Sequence, residues 1–198
     1  MKLEGFPKTV TLGDGTEVVV RPMNPDDAPS VLEFFRGLPE EDRQYLRDDV
    51  TKPEWAERFA RSVDFDTVVP LVAELDDKVV SLATLYRTRH GWSTHVAELR
   101  ISVARRLQHH GLGTAMARIL VRHAIGLGLE KMVAHIVENQ IGAHRAFEKL
   151  GFHKEAVLKG HVKDIHGMKR DLVVMANDVS HLWEAMEAMV SDFQPAIE

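Results

Sequence analysis

The chain has 198 residues, 44% hydrophobic and 28% charged, the balance of one globular domain with a good core. A formal net charge of -5 argues against a nucleic-acid partner, and the absence of cysteine excludes disulfides, thiolate metal sites and a cysteine nucleophile. No run approaches the ~20 apolar residues of a membrane span, and MKLEGFPKTV lacks the apolar stretch of a signal peptide, so no membrane partner and a cytoplasmic location are expected.

In chain order, KTVTLGDGTEVVVRPM predicts a hairpin, with Val10 and Leu12, then Val18 and Val20, alternating around a Gly13-Asp14-Gly15 turn. NPDDAPSVLEFFRGL predicts a helix capped by Asn24. PEEDRQYLRDD and TKPEWAERFARSVD predict two short helices, the second capped by Thr51. TVVPLVAEL and KVVSLATLYRTR predict strands joined at Asp76-Asp77-Lys78. HVAELRISV predicts another strand, with Leu99, Ile101 and Val103 on one face and Glu98, Arg100 and Ser102 on the other. Leu112, Met116, Ile119, Leu120, His123 and Leu127 carry a helical period that ends at Gly126 and Gly128. KMVAHIV predicts a buried strand, and NQIGAHRAFEKLG a helix capped by Asn139 and stopped by Gly151. FHKEAVLKGHVKD and MKRDLVVMAN predict two strands about a turn at Ile165-His166-Gly167. VSHLWEAMEAMVSDF predicts an amphipathic helix with Leu182, Met186, Met189 and Val190 on one side, a stripe for core packing or a dimer contact. This order gives one α/β domain with a mixed sheet over residues 1–178 and a helical extension over 179–198, without internal repeats or a linker.

RRLQHHGLGTAM, residues 105–116, places a polar, His-rich turn and two glycines between a strand and a helix. The first N–H groups of a helix have no intrahelical acceptor, the helix dipole makes that end positive, and glycine admits a ligand close to the main chain. Together these make a cradle for an anion such as phosphate. A P-loop needs Gly-Lys-Ser/Thr, but Gly113-Thr114-Ala115 stands there. A dinucleotide fingerprint needs a third glycine where Met116 stands, and glycines directly after the strand where ARRLQHH intervenes. Gln108-His109-His110-Gly111-Leu112-Gly113 does meet a third pattern, Gln/Arg-x-x-Gly-x-Gly; alone, it is equally an ordinary turn before a helix.

The surrounding stretch AELRISVARRLQHHGLGTAMARILVRHA resembles the acyl-coenzyme A motif of the GNAT superfamily of N-acetyltransferases. Downstream, ENQIGAHRAFEKLGF resembles that family's second motif, Asn followed by Tyr/Phe-x-Lys-x-Gly-Phe, and the resemblance spans roughly residues 17–177. A weaker likeness, carried by DFDTVVPLVAEL and VAELRISV, is to bacterial protein-lysine acetyltransferase domains. The resemblance implies a GNAT-like acyl-CoA N-acyltransferase fold, a mixed and mostly antiparallel sheet of six to seven strands flanked by helices. It implies transfer of an acetyl group from acetyl-CoA to a primary amine: a protein lysine, an amino acid or a small polyamine-like acceptor. It further implies that the main chain of Ile101, Ser102 and Val103 pairs with the pantetheine arm. Amides of Gln108, His109, His110, Gly111, Leu112, Gly113 and Thr114 would hold the pyrophosphate, with Asn139 and Phe147 flanking the arm.

The acceptor must lose a proton, because a lysine-like amine with a pKa of about 10.4 arrives as ammonium. Glu98, on the polar face of its strand, is the candidate base by resemblance to the lysine acetyltransferases; the alternative is a carboxylate paired with Arg100 or a cross-strand cation. Phe147 departs from the tyrosine that donates a proton to the leaving thiolate in many family members; the thiol's own acidity, or His144 one turn earlier, could serve instead. His109 and His110 replace the usual basic residues of the loop; protonated, each would add a charge, but the favoured reading is two solvated loop histidines. The 11 histidines form no metal-ligand pattern, so no metal is expected. GLPEEDRQYLRDD and the final hairpin would line the acceptor pocket. The competing reading is a non-catalytic acyl-CoA-binding sensor module, favoured by Phe147 and opposed by Glu98; a monomer and a homodimer both remain open.

Overall fold

The computed structural model describes residues 5–191. β1 (Lys8–Thr11) and β2 (Glu17–Pro22) form the expected hairpin, and a 3-10 turn leads into α1 (Ala28–Gly37). Asn24 caps that turn by accepting from the Asp26 N–H at 2.9 Å, while its own N–H donates to Asp27 at 2.8 Å. α2 (Glu40–Arg43) is a single turn, shorter than PEEDRQYLRDD predicts. None of its four residues is buried, so no apolar face carries the helix further. α3 (Pro53–Arg61) starts after Lys52 rather than Thr51, because the Thr51 hydroxyl donates to Asp49 at 2.6 Å instead.

The remaining elements are β3 (Val68–Leu75), β4 (Lys78–Arg87), β5 (Val96–Val103), α4 (Leu112–Gly126), β6 (Lys131–Val137), α5 (Ile141–Lys149), β7 (His153–Lys163), β8 (Lys169–Asp178) and α6 (Val179–Ser191). Asn139 does not cap α5: that position is Gln140, which makes no capping bond, and its side chain instead accepts from the Val137 N–H at 3.0 Å.

The sheet has eight strands in the order β1-β2-β3-β4-β5-β6-β8-β7, one or two more than expected. All neighbours are antiparallel except β5 and β6. It is covered on both faces. Val69, Leu71 and Ala73 of β3, Leu99 of β5 and Met132 of β6 pack with Leu112, Met116 and Leu120 of α4. On the other face Val72 and Leu82 pack with Phe34 and Phe35 of α1 and Trp55 and Phe59 of α3. There Trp55 stacks on Phe59 at 5.3 Å and meets Phe35 edge-on at 5.2 Å. Arg21 ties the first strands together, since its guanidinium donates to both oxygens of Asp27 (2.7 and 2.8 Å) and to Glu74. α6 returns to the α4 face through buried Leu182, an Arg118–Glu187 ion pair, and the Arg118 and Arg122 guanidiniums near the Trp183 ring. The side chains of Met186, Met189 and Val190 in the expected apolar stripe lie outside the described residues.

Candidate active site

β5 and β6 pair only at Val96–Lys131, Ala97–Met132 and Glu98–Val133. β5 then stays with β4 as far as Val103, and β6 stays with β8 as far as Val137. Beyond Glu98 the two strands diverge and leave a wedge in the middle of the sheet. The Ser102 carbonyl and the Ala104 N–H face β4, bonded to the Ser81 hydroxyl (2.8 Å) and the Val80 carbonyl (2.9 Å). Strand alternation therefore turns the main-chain groups of Ile101 and Val103 into the wedge. The Val103 carbonyl accepts from the Gln108 side-chain amide at 3.0 Å. That leaves the Ile101 groups and the Val103 N–H for an extended ligand, while Ser102 turns the other way.

The Gln108–Thr114 loop stands at the mouth of the wedge. His109 (φ 66) and Gly111 (φ 91) are left-handed, and the alternation curls the chain into a concavity of N–H groups. α4 has no side-chain cap, and its first internal bond runs from the Ala115 N–H to the Gly111 carbonyl at 2.9 Å. The N–H groups of Leu112, Gly113 and Thr114 precede it, at the positive end of the helix dipole. A Cβ on Gly111 would meet nothing within 4 Å, so the space beside the loop at that point is open. The β1–β2 turn supports the loop from below. The Gly13 N–H donates to the His110 carbonyl at 3.0 Å, and the His110 Nδ1 lies 3.5 Å from Asp14.

Glu98 sits where the strands part, its side chain 17% exposed. Arg100 donates to both carboxylate oxygens, at 2.9 and 3.2 Å, so the pairing with Arg100 raised by the sequence is present. Arg47, from the segment after α2, adds a contact at 3.1 Å. His135 lies on the same face of β6 as Glu98 on β5, because Met132, Ala134 and Ile136 turn into the α4-side core. Its Nδ1 is 3.2 Å from Glu98 Oε1, but off the line of its own N–H, and that atom is buried without an aligned partner. Burial pushes the Glu98 carboxyl up; His135, Arg100 and Arg47 outweigh it and hold the group down at about 2. The Arg100 guanidinium in turn lies 4.3 Å over the Tyr86 ring.

Asn139, just past the end of β6, donates to the Tyr45 hydroxyl at 2.6 Å and so ties the α2–α3 segment across the mouth. Phe147 is buried against Phe152 at 5.1 Å, edge to face. His144 Nε2 lies 3.1 Å from the Val137 carbonyl, holding α5 to the end of β6. The final hairpin meets the α2 segment where the Ile165 N–H donates to Gln44 at 3.4 Å, beside an open recess of about 240 Å³ lined by Glu40, Asp48 and Asp49. A larger recess of about 350 Å³ lies elsewhere, between α1, Lys78 and Arg105. Sequence reasoning missed His135; Arg47 and Tyr45 fall in GLPEEDRQYLRDD, expected at the acceptor pocket, but no local spacing marks them as partners of Glu98 and Asn139. Among the described residues no group of His, Asp and Glu could hold a metal ion, and no helix is long and apolar enough to cross a membrane.

A Bacillus subtilis protein named Probable N-acetyltransferase YjcK is 25% identical over an alignment of 178 residues that covers 82% of this chain and 94% of that one. The solved GNAT domain of S. lividans PAT overlays with a TM-score of 0.71 at 22% identity, covering 86% of this chain and 96% of its own. Mycobacterium smegmatis RimJ, solved in complex with CoA-disulfide, overlays with a TM-score of 0.73 at 20% identity, covering 94% of this chain and 95% of its own. The family model described as the Acetyltransferase (GNAT) family matches residues 32–152, more than half of the sequence and the whole of the wedge and its loop. The chain belongs to the GNAT acetyltransferase family.

Proposed function

We propose that the protein transfers an acetyl group from acetyl-CoA to a primary amine, on a protein lysine, an amino acid or a small polyamine-like molecule. The observation that carries this reading is the wedge between β5 and β6, with an uncapped helix N-terminus at its mouth and a carboxylate where the strands meet. The pyrophosphate binds the amides of Gln108–Thr114, and the pantetheine arm extends along Ile101–Val103 with Asn139 and Phe147 on its other side. The CoA-disulfide in the similar RimJ structure supports a coenzyme A ligand for this fold. Main-chain N–H groups turned into the wedge suit an oxyanion on the attacked carbonyl, because they are fixed before the reaction. Glu98, where the strands part, belongs to the proton-accepting centre.

A second reading, a non-catalytic acyl-CoA sensor, is favoured by Phe147, which offers no proton to the leaving thiolate. Free-thiol release from acetyl-CoA with mixed pools of amino acids, polyamines and lysine peptides separates the two. Amine-dependent release is expected; calorimetric binding of acetyl-CoA without it supports the sensor.

A further inference from the structure

We propose that His135 takes the proton that the acceptor amine loses, and that Glu98 orients the imidazole from the neighbouring strand. This deepens the acetyl-transfer reading and rests on it. Glu98 is poorly placed to take the proton itself. Both of its oxygens are engaged by Arg100, and Arg47 adds a third guanidinium contact, so protonation would break charge-assisted bonds. A carboxyl held near 2 is also far from the pKa at which a general base works well near neutral pH.

His135 has the complementary arrangement. It stands two residues beyond Val133, the last β6 residue paired with β5, and so at the start of the wedge on the Glu98 face. Its Nδ1 is buried 3.2 Å from Glu98 Oε1 and has no other hydrogen-bond partner among the described residues. A carboxylate at Nδ1 keeps the hydrogen there and leaves the Nε2 lone pair free. The side chain is 23% exposed although Nδ1 is buried, so solvent reaches it elsewhere than at Nδ1. The facing groups are Glu98 and Arg100 from β5, Arg47 and Asp48 from the segment after α2, and Tyr86 from β4; Val174 of β8, opposite His135, is apolar. The carboxylate of Glu98 thus lies at contact distance from the ring, with the Arg100 and Arg47 guanidiniums on the same carboxylate.

In the proposed step the ammonium gives one proton to Nε2, and the freed amine lone pair forms the C–N bond at the thioester carbonyl carbon. The carbonyl π electrons move to oxygen. When the oxyanion collapses, the C–S bond breaks and sulfur leaves with the electron pair. The second nitrogen proton passes to sulfur, and the imidazolium returns its own to solvent. The products are an amide, a thiol and one proton.

The test measures thiol release from acetyl-CoA, with the amine pool that the wild-type chain uses, from pH 6 to 10. His135→Gln should lower turnover about 10²-fold or more at neutral pH, with unchanged acetyl-CoA affinity by calorimetry. The loss should shrink as the pH nears the amine's own value, about 10.4 for a lysine-like acceptor. Glu98→Gln should move the acidic limb of kcat/KM to lower pH without removing it, since an imidazolium lacking its carboxylate is less favourable. A His135→Gln enzyme that keeps the limb and the wild-type rate overturns the proposal, as does a Glu98→Gln enzyme that alone loses the limb. The ¹⁵N signals of the His135 ring give a readout independent of turnover. An Nδ1–H tautomer in the wild type that is lost in Glu98→Gln supports the orienting contact; an Nε2–H tautomer overturns it. Coenzyme binding with no thiol release from any amine would instead overturn the acetyl-transfer reading, and the ring signals would still report the contact.

Discussion

Two glycines of one loop stand in different situations. Gly111 has a φ of 91, so any L side chain there is strained before it touches a ligand. Gly113 lies within α4, and a Cβ there would meet Val103 at 3.7 Å and Ile101 at 3.9 Å, ordinary contacts. Gly113 therefore gives the cleaner test of coenzyme binding. Gly113→Val should keep the fold but crowd the start of α4 beside Ile101 and Val103, and weaken acetyl-CoA binding at least about tenfold, or 1.4 kcal/mol. Unchanged calorimetric affinity in a folded variant would remove the coenzyme from this loop. Glu98 has a second consequence besides chemistry. Its carboxyl is held from 4.5 down to about 2, so the folded state gains stability from its ionised form. That gain is fully present above about pH 4.5 and is lost as the pH falls through about 2. Glu98→Gln should accordingly melt at a lower temperature than the wild type at pH 6, and the gap should close as both are acidified towards pH 2. A gap that persists unchanged across that range would mean that the ionised form of the carboxyl is not what stabilises the fold.

At the scale of elements, what was legible in the sequence followed periodicity. Leu99, Ile101 and Val103 alternate with Glu98, Arg100 and Ser102, and β5 does lie with its apolar face against α4 and its polar face towards Arg47, His135 and the Tyr86 ring. The glycine loop was legible because its chemistry is local. The caps at Thr51 and Asn139 were misjudged because a competing partner took each side chain: Asp49 for Thr51, and Tyr45 for Asn139. Nothing in PEEDRQYLRDD marks Arg47 as a partner of Glu98, since that contact exists only once α2 ends early and the chain crosses the sheet. α5 shows the same limit. The spacing of His144 and Phe147 invites a catalytic reading of the histidine, but its Nε2 is engaged at the Val137 carbonyl. His144→Ala should then cost about 1 kcal/mol of stability, the scale of one hydrogen bond, and leave turnover near that of the wild type. A fall in turnover of about 10²-fold with an unchanged melting temperature would restore the histidine as the proton donor. Phe147→Tyr on the same helix should leave turnover similar or raise it; a folded Phe147→Tyr enzyme that slows would show that the edge-to-face contact with Phe152 matters more than a donor.

The whole molecule is a sheet nearly divided in two. One part, β1 to β5, is held by long antiparallel ladders and by the Arg21–Asp27–Glu74 cluster; the other, β6, β8 and β7, is held by its own. In the sheet they meet at three residue pairs, and α4 with its apolar stripe spans the junction behind them. A ligand seated in the wedge would supply the missing strand between the parts, so binding and folding are coupled through the same main-chain groups. At a hundredfold excess over its dissociation constant, acetyl-CoA should add about 2.7 kcal/mol to stability. For a chain of this size that corresponds to a rise in Tm of roughly 5 to 10 °C. The gain should have a location as well as a size. Hydrogen exchange at the Ile101 and Val103 amides, and at the Leu112–Thr114 amides of the α4 start, should slow on adding acetyl-CoA. Exchange at the Ser102 amide, already turned towards β4, should change least. A thermal shift of that size with protection confined to β1, β2 or α6 would place the coenzyme outside the wedge, and with it the site of acetyl transfer.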